Sequence, residues 1–345
     1  MNIKQILKGV KPGRLQSVGY LQIIPLVSQL IDERFVSPAQ TDISTAGYGK
    51  LVFSNKTSDK TTIIPTHTAY VTKQAAQDHA MMHLGLLKSH SEKQYNTAAC
   101  IQETQGGYMS QNKYEFFILP WSLREISLKK RYVETYSKIW DDIKIFNQQL
   151  GLNSKGHLEF FVKEFKSELD LFIAQFEIIP NQIGAIILIN GSVVGIERVP
   201  NYQYWRELWK PLIRECYGSL SLQTARGIWG SVKDRIPATR IPMKSNVMSL
   251  DDIENELNRV TIAETETVKT IINNIISDDF EITNEPETSN GFKAFTLENK
   301  MFIGQIIADT VNIVSTDDKI VYASLITKQK WFKNQEWFEA GEFSM

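Results

Sequence analysis

The stretch IGAIILINGSVVGIERVPNYQYWRELWKPLIRECYGSL, at positions 183–220, decides the fold. Apolar residues fill both alternating sets of its first strand, which predicts a strand covered on both faces. The two sets are Ile183, Ala185, Ile187, Ile189 and Ile186, Leu188. Asn190-Gly191 then supplies the two positive-φ residues of a two-residue type I′ turn, and residues 193–196 carry the return strand. The stretch therefore predicts a β-hairpin at the centre of a sheet.

A helix with one broad apolar face is predicted directly after this hairpin. Asn201 can cap its N-terminus, and Pro211 predicts a kink inside it. The apolar residues recur every four positions, as a surface helix against a core requires. They are Tyr204/Trp205, Leu208/Trp209, Leu212/Ile213 and Cys216/Tyr217.

Composition excludes several classes of protein. The chain has 345 residues, 42% of them hydrophobic, which is enough for a large core. Its net charge of −1 argues against sequence-independent nucleic-acid binding. No apolar run reaches the roughly 20 residues that cross a bilayer, and residues 1–14 lack the apolar core of a signal peptide. With only Cys100 and Cys216, both expected to be reduced, we expect a cytoplasmic protein with no membrane partner.

Charge is unevenly distributed along the second half. Residues 226–244 hold five basic residues against one acidic residue, a net charge of +4. Residues 251–287 hold eleven acidic residues against two basic ones, a net charge of −9. One interpretation is a solvated acidic helix and loop, since charge runs usually mark exposed faces. The other is a contact between the acidic segment 251–287 and the basic loop.

The whole pattern predicts an α+β fold. A mainly antiparallel β-sheet region, 1–120, precedes an α+β region, 121–326, with a helical hairpin, the central β-hairpin and helix, and closing strands at 291–325. The β-prone runs of the first region are residues 20–27, 50–54, 61–65, 96–101 and 114–119, and residues 55–59 look like a hairpin loop.

The helical hairpin is predicted from two apolar stripes. One long helix starts near Trp121 and ends at Gly151, and a second carries its stripe over residues 158–176. The chain finishes in an aromatic tail, 327–345, which either docks on its own core or binds a protein partner. Its aromatic residues include Trp331, Phe332, Trp337 and Phe338.

This order of elements resembles the ARG-and-rhodanese-phosphatase-superfamily-associated protein domain family. Residues 184–197 and 205–217 look like the family's hairpin and its leucine-tryptophan helix, and residues 291–325 look like its closing strands. The family's Lys-Gln-Asn-Arg motif falls on Lys73-Gln74-Ala75-Ala76, which loses the amide and the guanidinium. Its Cys-Val-Glu motif falls near Cys100-Ile101-Gln102, with Glu103 adjacent, and its Gly-Arg-Trp motif falls near residues 106–108.

The resemblance implies a role linked to NAD or ADP-ribose metabolism, which in this family rests on neighbouring genes. The departures favour a binding or scaffold protein over an enzyme. Arginine is the natural bidentate partner of a pyrophosphate, and its loss leaves Lys73 as a point charge.

Reactive side chains are densest at residues 73–83. His79 and His83 are four apart, so a helix would place both imidazoles on one face of a divalent metal site, with Asp78 or a distant carboxylate completing it. Surface or capped histidines are the alternative. Asp78, His79 and Cys100 also suit an acid, base and nucleophile, whereas the apolar neighbours of Cys100 suit a buried small residue.

The basic loop offers a second candidate site. Trp229 would stack on a base while Arg226 and neighbouring arginines meet phosphates. No glycine-rich phosphate fingerprint accompanies it, and the glycines beside Trp229 are equally typical of a flexible turn.

The leading hypothesis is a protein that binds an ADP-ribose-like or nucleotide ligand, or a protein partner, between the N-terminal sheet and the helical half. The residues predicted to contact the ligand are Lys73, Gln74, Gln77, Gln102, Arg226 and Trp229. One alternative is an enzyme acting on an ADP-ribosyl linkage, with Glu103 or Glu197 as general base, Cys100 as a further catalytic candidate and a metal near His79. A non-catalytic interaction module that uses the aromatic tail is another.

Overall fold

The computed structural model describes residues 1–29, 31–72, 78–103, 114–229, 250–276, 278–309 and 320–334. Its N-terminal part is mainly strand. Here follow one short helix and thirteen strands: α1 (Ile3–Ile6), β1 (Lys11–Pro12), β2 (Gln16–Val18), β3 (Leu21–Val27), β4 (Phe35–Val36), β5 (Thr41–Gly47), β6 (Lys50–Asn55), β7 (Thr61–Ile64), β8 (Thr68–Thr72), β9 (His79–Ala80), β10 (Gly85–Leu87), β11 (Ser91–Tyr95), β12 (Ala99–Cys100) and β13 (Tyr114–Ile118).

The rest of the described chain alternates helices and strands. In chain order these are α2 (Trp121–Lys129), α3 (Trp140–Gln149), α4 (Glu159–Glu164), α5 (Lys166–Ile173), β14 (Gln182–Ile189), β15 (Ser192–Arg198), α6 (Tyr202–Lys210), a π-helix (Pro211–Tyr217), α7 (Gly218–Ala225), α8 (Leu250–Ile275), β16 (Glu281–Ser289), β17 (Phe292–Glu298), β18 (Phe302–Asp309), β19 (Ile320–Thr327) and α9 (Gln329–Asn334). The predicted α+β class is confirmed.

The central sheet is built around the predicted hairpin. Its strand order is β1-β3-β14-β15-β19-β18-β17-β16, with β2 also paired to β3. Asn190 and Gly191 have φ of 47° and 78°, as the predicted turn requires. Every residue of β14 is buried. The hairpin therefore occupies the interior of the sheet, as predicted.

The two faces of β14 pack into two different apolar clusters. The set that starts at Ile183 packs with α6 and its Trp205, whereas Ile186 and Leu188 pack with Ile6 and Val268 on the other side. The Asn201 side chain accepts a hydrogen bond from the Tyr204 N–H at 2.9 Å, so the predicted cap is present. At Pro211 the chain continues as a π-helix instead of ending, because proline is tolerated at the first position of a new helical segment.

Three smaller sheets complete the N-terminal part, and they correct one prediction. Residues 55–59 join β6 to β7, but these strands belong to different sheets: β6 pairs with β5 and β11, and β7 pairs with β10 and β4. The turn-forming composition of residues 55–59 is local, since Asn55 bonds the Thr57 N–H. It does not make the flanking strands partners, so the predicted hairpin is wrong.

The predicted long helix from Trp121 to Gly151 is also interrupted. α2 ends at Lys129 and α3 begins at Trp140. Tertiary contacts favour the break: Arg131 pairs with Glu285 at 3.0 Å, and the Lys138 ammonium donates to the Thr97 and Val133 carbonyls. Within the described residues, no helix is long and apolar enough to span a membrane.

Candidate functional site

The four-stranded sheet is built from strands that border the two segments with the predicted family motifs. Its order is β12-β9-β8-β13, with Tyr114 opposite Thr72, Tyr70 opposite His79 and His79 opposite Cys100. These pairings bring the end of β8, the start of β9, the end of β12 and the start of β13 to one edge. Lys73, Gln74 and Gln77 lie outside the described residues, so their predicted contacts stay predictions.

Gln102 and Glu103 lie at this edge, against the loop before α4. The Gln102 amide donates to Glu159 at 2.8 Å, and Gln102 is buried. Glu103 accepts from the Gly156 N–H at 2.9 Å and lies 3.6 Å from the Lys144 ammonium. The Gly156 N–H and then the Lys144 ammonium lower the pKa of Glu103. A carboxylate with a lowered pKa is a poor general base near neutral pH.

Cys100 has the environment of a buried structural thiol. It is 1% exposed, and its Sγ donates to the Gln102 carbonyl at 3.3 Å. Burial raises the pKa of the thiol to about 11. A nucleophilic cysteine requires the opposite shift, because only the thiolate attacks.

The two histidines are held by hydrogen bonds rather than aligned on a helix. His79 begins β9, and its Nε2 accepts from the Gly49 N–H at 3.0 Å. In His83 the Nδ1 lies 2.8 Å from the Leu84 carbonyl and the Nε2 lies 3.2 Å from the Thr97 hydroxyl. A metal ion that binds any of these three ring nitrogens must displace the protein group that is hydrogen-bonded to it. In the described part of the chain, no three His, Cys, Asp or Glu side chains form a metal-binding group.

Glu197 lies in the interior of the protein, paired with an arginine. Its carboxylate is 2.8 Å from the Arg124 guanidinium and accepts from the Tyr217 hydroxyl at 2.6 Å. Arg124 also donates to Ser324 and to the Nδ1 of His67. Burial opposes the charge on Arg124, but the Glu197 carboxylate next to it holds the pKa of Arg124 well above its usual value. Glu197 is 2% exposed, so a substrate in solution cannot reach its carboxylate.

Arg226 and Trp229 have separate roles. The Arg226 guanidinium donates to the Leu150 carbonyl at the end of α3 and lies over the Phe165 ring. Trp229 packs edge-on against Trp121 and Phe332, with ring centroids 5.5 Å and 5.7 Å away. The indole is therefore part of the core and does not offer an open face for stacking.

Trp229 nevertheless lines a cleft between α2, α3 and α9. The cleft has a volume of about 420 Å³. Its apolar wall includes Leu123, Ile126 and Phe146, and its polar groups include Gln149 and Gln329. The Trp229 indole N–H has no hydrogen-bond partner among the described residues. The size is within the range of small-molecule sites, about 300–1,000 Å³.

Lysines dominate the electrostatics of this cleft. Lys129 neutralises Glu125 at 2.5 Å, and Asp142, which also lines the cleft, is paired with Lys130 at 2.8 Å. Lys330 and Lys333 also line it, and neither forms an ion pair within the described part of the chain. Lys333 lies over the Trp229 ring at 5.2 Å. Among the described residues, the cleft therefore has two lysines that form no ion pair, and it adjoins Trp229, whose buried indole N–H has no partner there.

Two buried carboxylates were missed because the acidic segment was treated as one unit. Glu285 bonds Thr296 at 2.6 Å in addition to Arg131, and Glu287 accepts the Lys93 ammonium at 2.7 Å. A signal was present, since the Glu-Pro-Glu spacing places both carboxylates on one face of a strand. Glu287 joins β16 to β11 of the N-terminal part, whereas Glu285 joins it to Arg131 in the segment after α2. The basic loop that was the proposed contact of this acidic segment lies largely outside the described residues.

Comparison with known proteins gives one match. No curated protein and no solved structure matches the chain. The sequence profile of the ARG and Rhodanese-Phosphatase-superfamily-associated Protein domain, ARPP-1, matches residues 9–311, which is most of the chain. That span contains the central hairpin, the sheet edge with the degraded motifs and most of the cleft wall. The chain therefore belongs to the ARG and Rhodanese-Phosphatase-superfamily-associated Protein domain family.

Proposed function

We infer that this protein binds an ADP-ribose-like or nucleotide anion in the cleft lined by Trp229, Lys330 and Lys333. The observation that carries the proposal is a pair of lysines, Lys330 and Lys333, that form no ion pair with the described residues and lie at a cleft with an apolar wall. Ammonium groups bind phosphates as point charges, and an apolar wall accepts the face of a base. The cleft lies among α2, α3 and α9, whereas the sequence predicted a site between the N-terminal sheet and the helical half.

The hydrogen-bonding groups of the cleft also suit a nucleotide. The indole N–H of Trp229 is a buried donor that lacks an acceptor among the described residues, and such groups favour a ligand or water oxygen. The Gln149 Oε1 accepts from Gln223 and the Gln329 Nε2 donates to the Ser122 carbonyl, so the Gln149 Nε2 and the Gln329 Oε1 are the amide atoms that can contact ribose hydroxyls. These are neutral groups that donate and accept hydrogen bonds, which is typical of a binding site rather than a catalytic one.

Binding is favoured over hydrolysis by the state of the three catalytic candidates. Glu197 is enclosed and ion-paired, Cys100 is a buried thiol with a raised pKa, and Glu103 has a lowered pKa. General acid–base catalysis at neutral pH needs a group whose pKa is near 7 and within reach of the substrate. None of the three combines these properties.

Isothermal titration calorimetry with ADP-ribose, NAD and ADP tests the proposal. We expect saturable binding that the double substitution Lys330→Gln/Lys333→Gln weakens at least tenfold, about 1.4 kcal/mol. Binding should also weaken as NaCl rises, because exposed charges are screened. Lys50→Gln/Lys88→Gln, at two exposed lysines outside the cleft, is the matched control and should leave affinity within about twofold. No heat with any of the ligands, or equal losses in both variants, contradicts the proposal.

A further inference from the structure

A second, apolar groove lies between the N-terminal segment and the end of α8. It has a volume of about 530 Å³ and is lined by Leu7, Val10, Leu26, Ile272 and Ile276. Leu7, Val10 and the two isoleucines are only half-buried, so the groove exposes a continuous aliphatic surface to solvent. Aliphatic surface of this kind marks a ligand or partner site when it is concave and rimmed by polar groups.

Two ion pairs hold the walls of the groove in place. The N-terminal ammonium of Met1 lies 3.6 Å from Asp279 beyond one end of α8. Arg14 lies 3.1 Å from Glu264, three turns up the same helix from Ile276. The N-terminal segment thus contacts Glu264 of α8 and Asp279 beyond its end, and the groove lies between these two contacts.

The charge at the groove has one sign. Lys4 and Lys8 line it, and no carboxylate is among the described residues that do so. Lys11 is a further cation of the N-terminal segment, whereas Arg14 is paired with Glu264. The formal charges on the described side chains that line the groove are therefore positive, which attracts an anion to its rim.

The buried guanidinium of Arg198 adds positive charge next to the backbone of the N-terminal segment. Arg198 is 9% exposed and donates to the carbonyls of Ile6 and Lys8 at 2.5 Å and 2.9 Å. Its Nε has no hydrogen-bond partner in the described residues. Burial lowers the pKa of Arg198 to about 10. A positive charge held in this way, bonded to neutral carbonyls, is stabilised by an anion bound nearby.

We propose that this groove binds one long-chain acyl carboxylate, with the alkyl chain along Leu7, Leu26 and Ile272 and the carboxylate at Lys4. The lining matches an alkyl chain because the described residues that form it include no aromatic side chain to hold a base and few polar groups to hold a sugar or peptide backbone. The cationic rim selects the head group. This site is separate from the cleft of Trp229, so it stands or falls independently of nucleotide binding.

Displacement of a fluorescent fatty acid by oleate, below its micellar concentration, tests the proposal on the full-length protein. We expect one site per chain, with oleate bound at least tenfold more tightly than methyl oleate, which lacks the negative charge. Myristate should bind roughly tenfold more weakly than palmitate, because two fewer methylenes are buried.

Matched variants locate the site. Ile272→Asn should weaken oleate binding at least tenfold, and Lys4→Gln/Lys8→Gln should weaken it at least fivefold. Ile262→Asn, at a 64% exposed position of α8 outside the groove, and Lys50→Gln should change affinity less than twofold. Circular dichroism of each variant checks that it is folded. The proposal is overturned if oleate does not saturate, if methyl oleate binds as tightly, or if a folded Ile272→Asn protein binds like the wild type.

Discussion

Replacing Glu197 by glutamine should destabilise the protein by about 3–5 kcal/mol, the usual cost of removing one partner of a buried ion pair. Glu197 and Arg124 are 2% and 1% exposed and 2.8 Å apart, so neither charge has water as an alternative partner. The amide has nearly the same shape as the carboxylate, so the loss measures charge and hydrogen bonding rather than packing. The Tyr217 hydroxyl, which donates to Glu197, loses a charged acceptor as well.

The magnitude is best measured as a double-mutant cycle. Arg124→Met should cost a similar amount, because it leaves the Glu197 carboxylate buried and unpaired. The combined Arg124→Met/Glu197→Gln protein should be about 3 kcal/mol more stable than the sum of the two single losses predicts. Urea unfolding followed by tryptophan fluorescence and by circular dichroism gives the three free energies, with an unchanged denaturant slope.

The reasoning fails if the cycle is additive within about 0.5 kcal/mol, the value for independent sites. It also fails if Glu197→Gln costs less than about 1 kcal/mol, because that is the range of exposed ion pairs. Either result would mean that Glu197 is solvated, and its role as a general base would then return to consideration.

Three further predictions concern the core. Burial, opposed by Arg214, raises the pKa of Glu215 to about 7. The free energy of unfolding of the wild type should therefore fall by about 3 kcal/mol relative to that of Glu215→Gln as pH rises from 4.5 to 7.5. If urea unfolding gives the two proteins parallel plots of this free energy against pH, the prediction is refuted. Gly195→Ala should cost about 1–3 kcal/mol, because the new Cβ overlaps the Tyr217 hydroxyl, and an unchanged thermal midpoint would contradict it. Trp205→Ala should cost about 3–5 kcal/mol in urea unfolding, and a loss below 1 kcal/mol would show that the indole is not in the core.

The centre of the fold was predictable because its signals are local and agree with one another. The two apolar sets of β14, the positive-φ pair at Asn190-Gly191 and the cap at Asn201 each require only a few neighbouring residues. The hydrophobic pattern and the turn chemistry then select the same hairpin. The resemblance to the family rested on this same stretch and is confirmed by the profile match.

Predictions that depended on partners distant in sequence were less successful. Residues 55–59 have turn chemistry, but pairing of β6 and β7 is decided by strands further along the chain. The break after Lys129 is favoured by Arg131 meeting Glu285, 154 positions away. Periodicity cannot contain such contacts, because a long helix and two short ones share the same apolar spacing.

For the candidate site as well, the sequence shows the residue types but not their burial or their distant partners. Residue types alone suggested Glu197 and Cys100 for chemistry, yet their burial and their partners assign them to the core. Trp229 lines the described cleft, but its ring packs edge-on against Trp121 and Phe332, and its predicted contact with a ligand stays a prediction. Lys330 and Lys333 were missed because only the folded chain brings α9 beside α2.

Photoaffinity labelling with an azido derivative of ADP-ribose, followed by peptide mass spectrometry, tests the central claim most directly. The account predicts labels on the peptides that contain Leu123 to Lys129 and Gln329 to Lys333, suppressed by excess ADP-ribose and by Lys330→Gln/Lys333→Gln. Labels confined to peptides away from α2, α3 and α9 would contradict it.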